Sequence, residues 1–272
     1  MLEILKEYKR VCEKHHLRYF FAFGTCLGAV RHKGFIPCDD DIDVIMPYGD
    51  YLRLQALAPT EFPKNYFLQT FGSEPECGLC DAKLRRSDTT LIAGSLANKN
   101  VHHGIYIDIY PYYNLSDGKF SKIAQYFNAM LWMLLTVGRV PQNHGGIMAK
   151  CSNLMLRIIP NSRKPSVRKK VFEAMTKYEN QKTENVFFAI GNIKVMRELY
   201  KREWFSDIAQ LQFEDEIFAV PIGYKEYMSN RYGQSYMQLP PETERGVKLN
   251  DIVAWSSDIP YKDYEEATRL KG

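Results

Sequence analysis

Four aspartates stand within five positions, Asp39, Asp40, Asp41 and Asp43, at the end of the stretch GTCLGAVRHKGFIPCDDDIDV, residues 24–44. Carboxylates this close repel one another, and folding them together requires positive charge in their midst. A divalent metal is the expected partner. If residues 43–46 run as a strand, Asp41 and Asp43 share a face while Ile42 and Val44 point into the core. Two carboxylates on one face suit Mg²⁺ or Mn²⁺, hard cations that also keep positions for substrate phosphate oxygens. Asp39 and Asp40 read as loop residues that set the local field or reach a second ion through water.

A further acid lies in GIYIDIYP, where Ile105, Ile107 and Ile109 occupy one face of a candidate strand and Tyr106, Asp108 and Tyr110 the other. Alone, Asp108 reads as an edge-strand acid facing solvent. With the cluster upstream it reads as a third carboxylate, either a metal ligand or a general base toward an acceptor hydroxyl. Ahead of the cluster, Gly24 permits close backbone approach, and a helix starting at about Cys26 aims free N–H groups at an anion. Thr25 is placed to cap that helix and to reach a phosphate. Arg31, His32 and Lys33 add cationic donors. Lys83 and Arg85 alternate on one face of another candidate strand, where they either neutralise a diphosphate or form an exposed basic edge.

The elements that must position these residues follow from periodicity. Leu2, Ile4, Leu5, Tyr8 and Val11 predict an amphipathic helix to about His15, and 18–23, 43–46, 66–69, 81–86 and 105–110 predict strands, with a helix over 49–57. This is a mixed α/β (α+β) pattern, a sheet flanked by helices. From Lys119 the pattern turns helical, through Ile123, Phe127, Leu131 and Leu134 and again over 147–158, in stretches too short and polar to span a bilayer. NSRKPSVRKK follows, a basic segment beside an apolar helix that reads either as a solvated face or as peripheral contact with anionic lipid headgroups. The expected division is a catalytic core over 1–117, a helical insertion over 118–200 on the acceptor or membrane side, and a C-terminal segment over 201–272 that packs back on the core.

The 272 residues are 45% hydrophobic with a net charge of +4. That charge is far below a nucleic-acid-binding footprint, so no nucleic-acid partner is expected. Six irregularly spaced cysteines and no apolar N-terminal run point to a reduced, cytoplasmic protein. Cys77 and Cys80 form a lone CxxC, read as two ordinary loop thiols.

Strand, Gly-Thr, short helix and D-h-D-h, with h apolar, resemble the nucleotidyltransferase superfamily. The full GTCLGAVRHKGFIPCDDDIDV is similar to the signature of the LicD family of phosphocholine transferases, related to the fukutin-type sugar-alcohol phosphate transferases. KLRRSDT, HHGIYIDIYP and RYGQSYMQLPPETER resemble further parts of that pattern, while 119–201 does not. Two departures are Cys38, where an aromatic is expected, and ETERGVKLND, which lacks a histidine. The resemblance implies a metal on Asp41 and Asp43, with Asp108 matching the third carboxylate of the metal site, donor phosphates held at Gly24 and Thr25, and Lys83 and Arg85 where basic residues would neutralise a diphosphate; Arg31 and Lys33 are read beside them as further phosphate contacts. It implies transfer of a substituted phosphate from a CDP-alcohol, CDP-choline foremost, to a hydroxyl of a glycan or lipid-linked glycan precursor. Tyr106 and Tyr110 are the leading aromatic candidates for the quaternary ammonium. The residues leave open nucleotidyl transfer, a DxD glycosyltransferase and a non-catalytic cation-binding module.

Overall fold

The computed structural model describes residues 1–37, 39–138, 147–190, 193–239, 241 and 251–264; Cys38 and 242–250, where the two departures fall, lie outside the described residues. The chain forms two compact units. The first comprises Met1–Cys77, Asp81–Pro111 and Glu203–Gly272, the second Gly78–Cys80 and Tyr112–Arg202.

In the first unit α1 (Leu2–Lys14) buries Ile4, Leu5, Tyr8, Val11 and Cys12, the face its spacing predicts. It is followed by β1 (Phe20–Phe21), α2 (Phe23–His32), β2 (Asp43–Pro47), α3 (Tyr48–Glu61), β3 (Tyr66–Thr70), β4 (Ala82–Arg86) and β5 (Thr90–Ala93). The long strand β6 (Ile105–Leu115) continues past Pro111 into the second unit. The sheet order is β1-β2-β6-β4-β3. Antiparallel pairing sets Phe21 against Val44, and Lys83 against Asp108. The Asp108 N–H donates to the Ile42 carbonyl at 2.8 Å, which ties β6 to the residue just ahead of β2.

The strand expected over 18–23 shrinks to two residues. The Ala22 carbonyl already accepts the Cys26 N–H at 2.9 Å, so the helix begins at Phe23, earlier than expected, and takes Gly24 and Thr25 into its first turn. Phe23 itself has φ of +41°, a strained value for an aromatic residue.

The second unit holds α4 (Lys119–Val137), α5 (Ile147–Ile158), α6 (Lys164–Thr176), β7 (Asn185–Phe188), α7 (Ile193–Arg197) and β8 (Tyr200–Lys201). Here the end of β6 pairs with β7, and β7 with β8. A buried amide joins its helices: Gln125 Oε1 accepts the Ser116 N–H at 2.9 Å, and Nε2 donates to the Asn114 and Met175 carbonyls at 2.7 and 2.8 Å. Among the described residues no helix is long and apolar enough to cross a membrane.

The chain returns to the first unit with β9 (Ile208–Phe213), β10 (Glu216–Pro221), α8 (Tyr224–Tyr232) and β11 (Ile252–Ser256), the last paired with β5. β9 and β10 form a hairpin across Glu214 and Asp215, with Glu214 at φ +56°. Phe213 and Phe218 pack on Phe21 with ring centroids 5.1 and 5.2 Å away. Glu214 then braces the loop that leads to the aspartates, as its N–H donates to the Lys33 carbonyl at 2.8 Å and its Oε1 accepts the Phe35 N–H at 3.0 Å.

Gln125→Leu strands three buried backbone groups at about 1–3 kcal/mol each. Chemical denaturation of this variant is expected to show a loss of several kcal/mol, whereas Ala124→Ser at the exposed neighbouring position leaves the midpoint nearly unmoved.

Candidate active site

The acids converge where β2 begins. Asp43 opens that strand and is 8% exposed; Asp108, in mid-β6, is 6% exposed. Ile42 and Val44 are fully buried, as the alternation requires. Carboxylate oxygens of Asp39, Asp40 and Asp41 lie within 4.8 Å of one another. Burial, reinforced by Asp39, Asp108 and Asp40, raises the Asp41 carboxyl to about 7. Burial and then Asp41 and Asp108 push Asp43 well above the usual carboxylate range, against a weaker opposing pull from Lys83. Asp39 is raised as well, chiefly by burial.

α2 fits closely around this loop. A Cβ on Gly24 would collide with the Asp39 carboxylate, so the glycine admits an acid to the first turn of the helix, where the backbone dipole favours negative charge. Thr25 does not cap α2, because the helix starts two residues ahead of it. Its Oγ1 instead accepts the Asp43 N–H at 2.8 Å and fixes the first residue of β2. The Phe23 N–H donates to the Tyr227 hydroxyl of α8 at 3.1 Å, which supports the strained elbow ahead of Gly24.

Lys83 lies across from Asp108 and forms an ion pair with its Oδ1; Nζ is 3.6 Å from the Tyr106 ring centroid. Burial pulls the ammonium down, but Asp108, Tyr106 and Asp81 outweigh it, so Lys83 ends raised and stays charged. Arg85 is spent on the sheet interior: Nε donates to Gln69 Oε1 and Nη1 to the Gly104 carbonyl, both at 2.6 Å. Its guanidinium also lies 4.5 Å from the Tyr106 centroid, so that ring already carries two cations. Tyr110 instead meets Phe23 edge to face at 5.9 Å and feels Asp108, Asp43 and Asp81 after burial, all of which hold its hydroxyl protonated.

Arg31 Nη1 donates to the Tyr236 and Gln238 carbonyls at 3.1 and 3.2 Å, anchoring the segment after α8. Lys33 is exposed at the left-handed cap of α2, about 13 Å of helix from Gly24. The structure thus brings together Asp41, Asp43, Asp108, Lys83, Gly24, Thr25 and Tyr110, and employs Arg31 and Arg85 in backbone support. Of the CxxC pair, Cys77 Sγ donates to the Thr70 carbonyl at 3.7 Å.

Two neighbours escaped sequence reasoning. Asp81 is raised to about 7 by burial, moderated by Lys83 and reinforced by Asp108. The alternation of Asp81, Lys83 and Arg85 carried that signal. Tyr232 of α8 feels Asp43 and Asp39 after burial and Arg231, and nothing in the local periodicity marks it. The donor set, carboxylate oxygens massed on adjacent strands with their charges mutually raised, fits a hard divalent cation.

Gly-Thr in the first turn of a helix, followed by carboxylates on two neighbouring strands of a mixed sheet, defines a nucleotidyltransferase-type domain. Residues 16–132 match the family described as LicD/FKTN/FKRP, nucleotidyltransferase domain. It is 26% identical over 263 residues, 90% of this chain and 91% of the relative, to the lipopolysaccharide cholinephosphotransferase LicD of Haemophilus influenzae. Shorter matches of 59 residues, at 37% and 36% identity, join it to uncharacterized proteins of Rickettsia prowazekii and Rickettsia typhi; they cover 22% of this chain and 22% and 19% of those proteins.

A carboxyl raised on folding binds its proton more tightly in the native state, so the metal-free protein loses stability as pH climbs from the ordinary carboxylate value of 3.8 through about 7 for Asp41. In the presence of a chelator, wild type is therefore expected to melt at a lower temperature at pH 8 than at pH 5. Asp43→Asn should melt above wild type at pH 8, with the gap narrowing toward pH 5.

Proposed function

We propose that the chain transfers phosphocholine from CDP-choline to a hydroxyl of a cell-surface glycan precursor, of lipopolysaccharide, teichoic acid or capsule type, with Mg²⁺ or Mn²⁺ at Asp41 and Asp43. The observation that carries this reading is the similarity over 90% of the chain to a protein named a lipopolysaccharide cholinephosphotransferase, with Asp41, Asp43 and Asp108 converging inside the family domain. The reaction would take place in the cytoplasm, on a free or lipid-linked acceptor.

Asp41 and Asp43, with Asp39 and Asp40 as outer negative charge, would hold the cation. A bound divalent ion supplies charge neutralisation for the donor diphosphate and its leaving group. Thr25 keeps Asp43 in register through the backbone, and Gly24 leaves the first turn of α2 open to the acidic loop. The acceptor oxygen bonds to the phosphorus that carries choline, the bond from that phosphorus to the bridging oxygen breaks, and CMP departs with the electron pair. The acceptor proton passes to Oδ2 of Asp108, the oxygen that Lys83 does not engage. A loose phosphoryl-transfer transition state demands little of such a base. Tyr110, with Phe23 at its edge, offers the quaternary ammonium an aromatic face, since Tyr106 already carries Lys83 and Arg85.

Incubation with Mg²⁺ or Mn²⁺, a panel of CDP-alcohols and a lipo-oligosaccharide acceptor is expected to release CMP from CDP-choline, with phosphocholine on the glycan. The Asp41→Asn/Asp43→Asn variant should lose at least a hundredfold in rate, since removal of a single transition-state charge contact costs about 10²–10³. Release of phosphocholine with CMP on the acceptor would identify nucleotidyl transfer instead.

A further inference from the structure

The second unit carries a surface that its own core does not explain. Residues 118–178 contain eleven lysines and arginines and one acid, Glu173, although the whole chain is only +4. α4 is apolar on two sides. Gln125, Ala129 and Met133 face the interior, whereas Phe120, Ile123 and Phe127, at i, i+3 and i+7, project oppositely and are 85%, 59% and 47% exposed. The helix has no acidic residue, and Lys119 and Lys122 flank its outer apolar end. α5 repeats the device: Leu154 and Ile158 are 58% and 66% exposed, on the face shared with the exposed Lys150 and Arg157.

Single exposed apolar residues are ordinary, but aligned stripes on two helices, each set among cations, have the composition of helices that lie in a bilayer interface. We propose that α4 and α5 form a docking surface for an anionic phospholipid bilayer. Phe120, Ile123, Phe127, Leu154 and Ile158 enter the boundary between headgroups and acyl chains, and the flanking lysines and Arg157 meet lipid phosphates. An acidic protein or a nucleic acid would satisfy the cations and leave the aromatic and aliphatic tips in water. The bilayer accommodates both. This inference rests on a different part of the chain from the acidic site and needs no turnover.

The test is flotation of the purified full chain, without metal or donor, with vesicles of phosphatidylcholine alone or mixed with phosphatidylglycerol. Binding is expected to the mixed vesicles, to fall with added salt, and to be weak on phosphatidylcholine. Phe120→Ser/Ile123→Ser/Phe127→Ser and, separately, Lys150→Glu/Arg157→Glu should each bind the mixed vesicles at least tenfold more weakly; loss of two surface cations alone weakens binding about thirtyfold. All substituted side chains are exposed, and unchanged circular dichroism verifies that the variants fold. Absence of wild-type flotation, or flotation untouched by both sets of substitutions, would overturn the proposal. So would equal affinity for heparin that the serine variant retains, which would mark the face as a site for an acidic macromolecule. Either failure leaves the transferase reading intact, because CMP release is scored without vesicles.

Discussion

The repulsion among carboxylates at the start of β2 is the constraint on which the rest of the first unit depends. Asp39, Asp40 and Asp41 crowd within 4.8 Å, Asp43 and Asp108 are nearly buried beside them, and Lys83 neutralises one of these charges by pairing with Asp108. Left to themselves such groups would separate or take up protons. They are held by backbone: Ile42 accepts from Asp108, Thr25 accepts from Asp43, and the Glu214 brace fixes the loop that delivers them. Stability is given up at this point and recovered in the aromatic packing of Phe21, Phe213 and Phe218 behind it. On the proposed reading, a cation arriving with a diphosphate would convert that repulsion into binding.

The same economy governs the elbow before α2. Phe23 holds a left-handed backbone that costs about 1–3 kcal/mol, supported by the Tyr227 hydroxyl and the edge of Tyr110. The strain starts the helix early enough for Gly24 to meet Asp39 and for Thr25 to reach Asp43. One local distortion therefore positions both halves of the site, and α8, far away in sequence, secures it.

Much of this was legible in the sequence because the signals are local. The alternation around Asp43 and Asp108 and the helical spacing of α1 report burial directly, whereas the apolar run of α4 does not, since Ile123 and Phe127 are exposed. The order of Gly-Thr and aspartates carried the resemblance to the family that residues 16–132 match. Less legible was whatever depends on long-range partners. Thr25 read as a helix cap because an N-terminal hydroxyl usually serves as one; its true acceptor role is set by a strand eighteen residues on. Arg31 and Arg85 read as phosphate donors by charge, yet their hydrogen bonds go to carbonyls and an amide that periodicity cannot reveal. The β9–β10 hairpin and the placement of Tyr232 likewise follow from packing on α2 and β1, not from their own composition.

Calorimetric titration of Mn²⁺ at pH 7, run in two buffers that differ in ionisation enthalpy, tests the central claim most directly. Because burial and its acidic neighbours raise the Asp41 carboxyl to about 7, the account predicts that binding releases protons, and that Asp41→Asn binds more weakly with less release. Binding with no buffer-dependent heat, or equal affinity in Asp41→Asn, would contradict the idea that the crowded carboxylates exist to hold a cation.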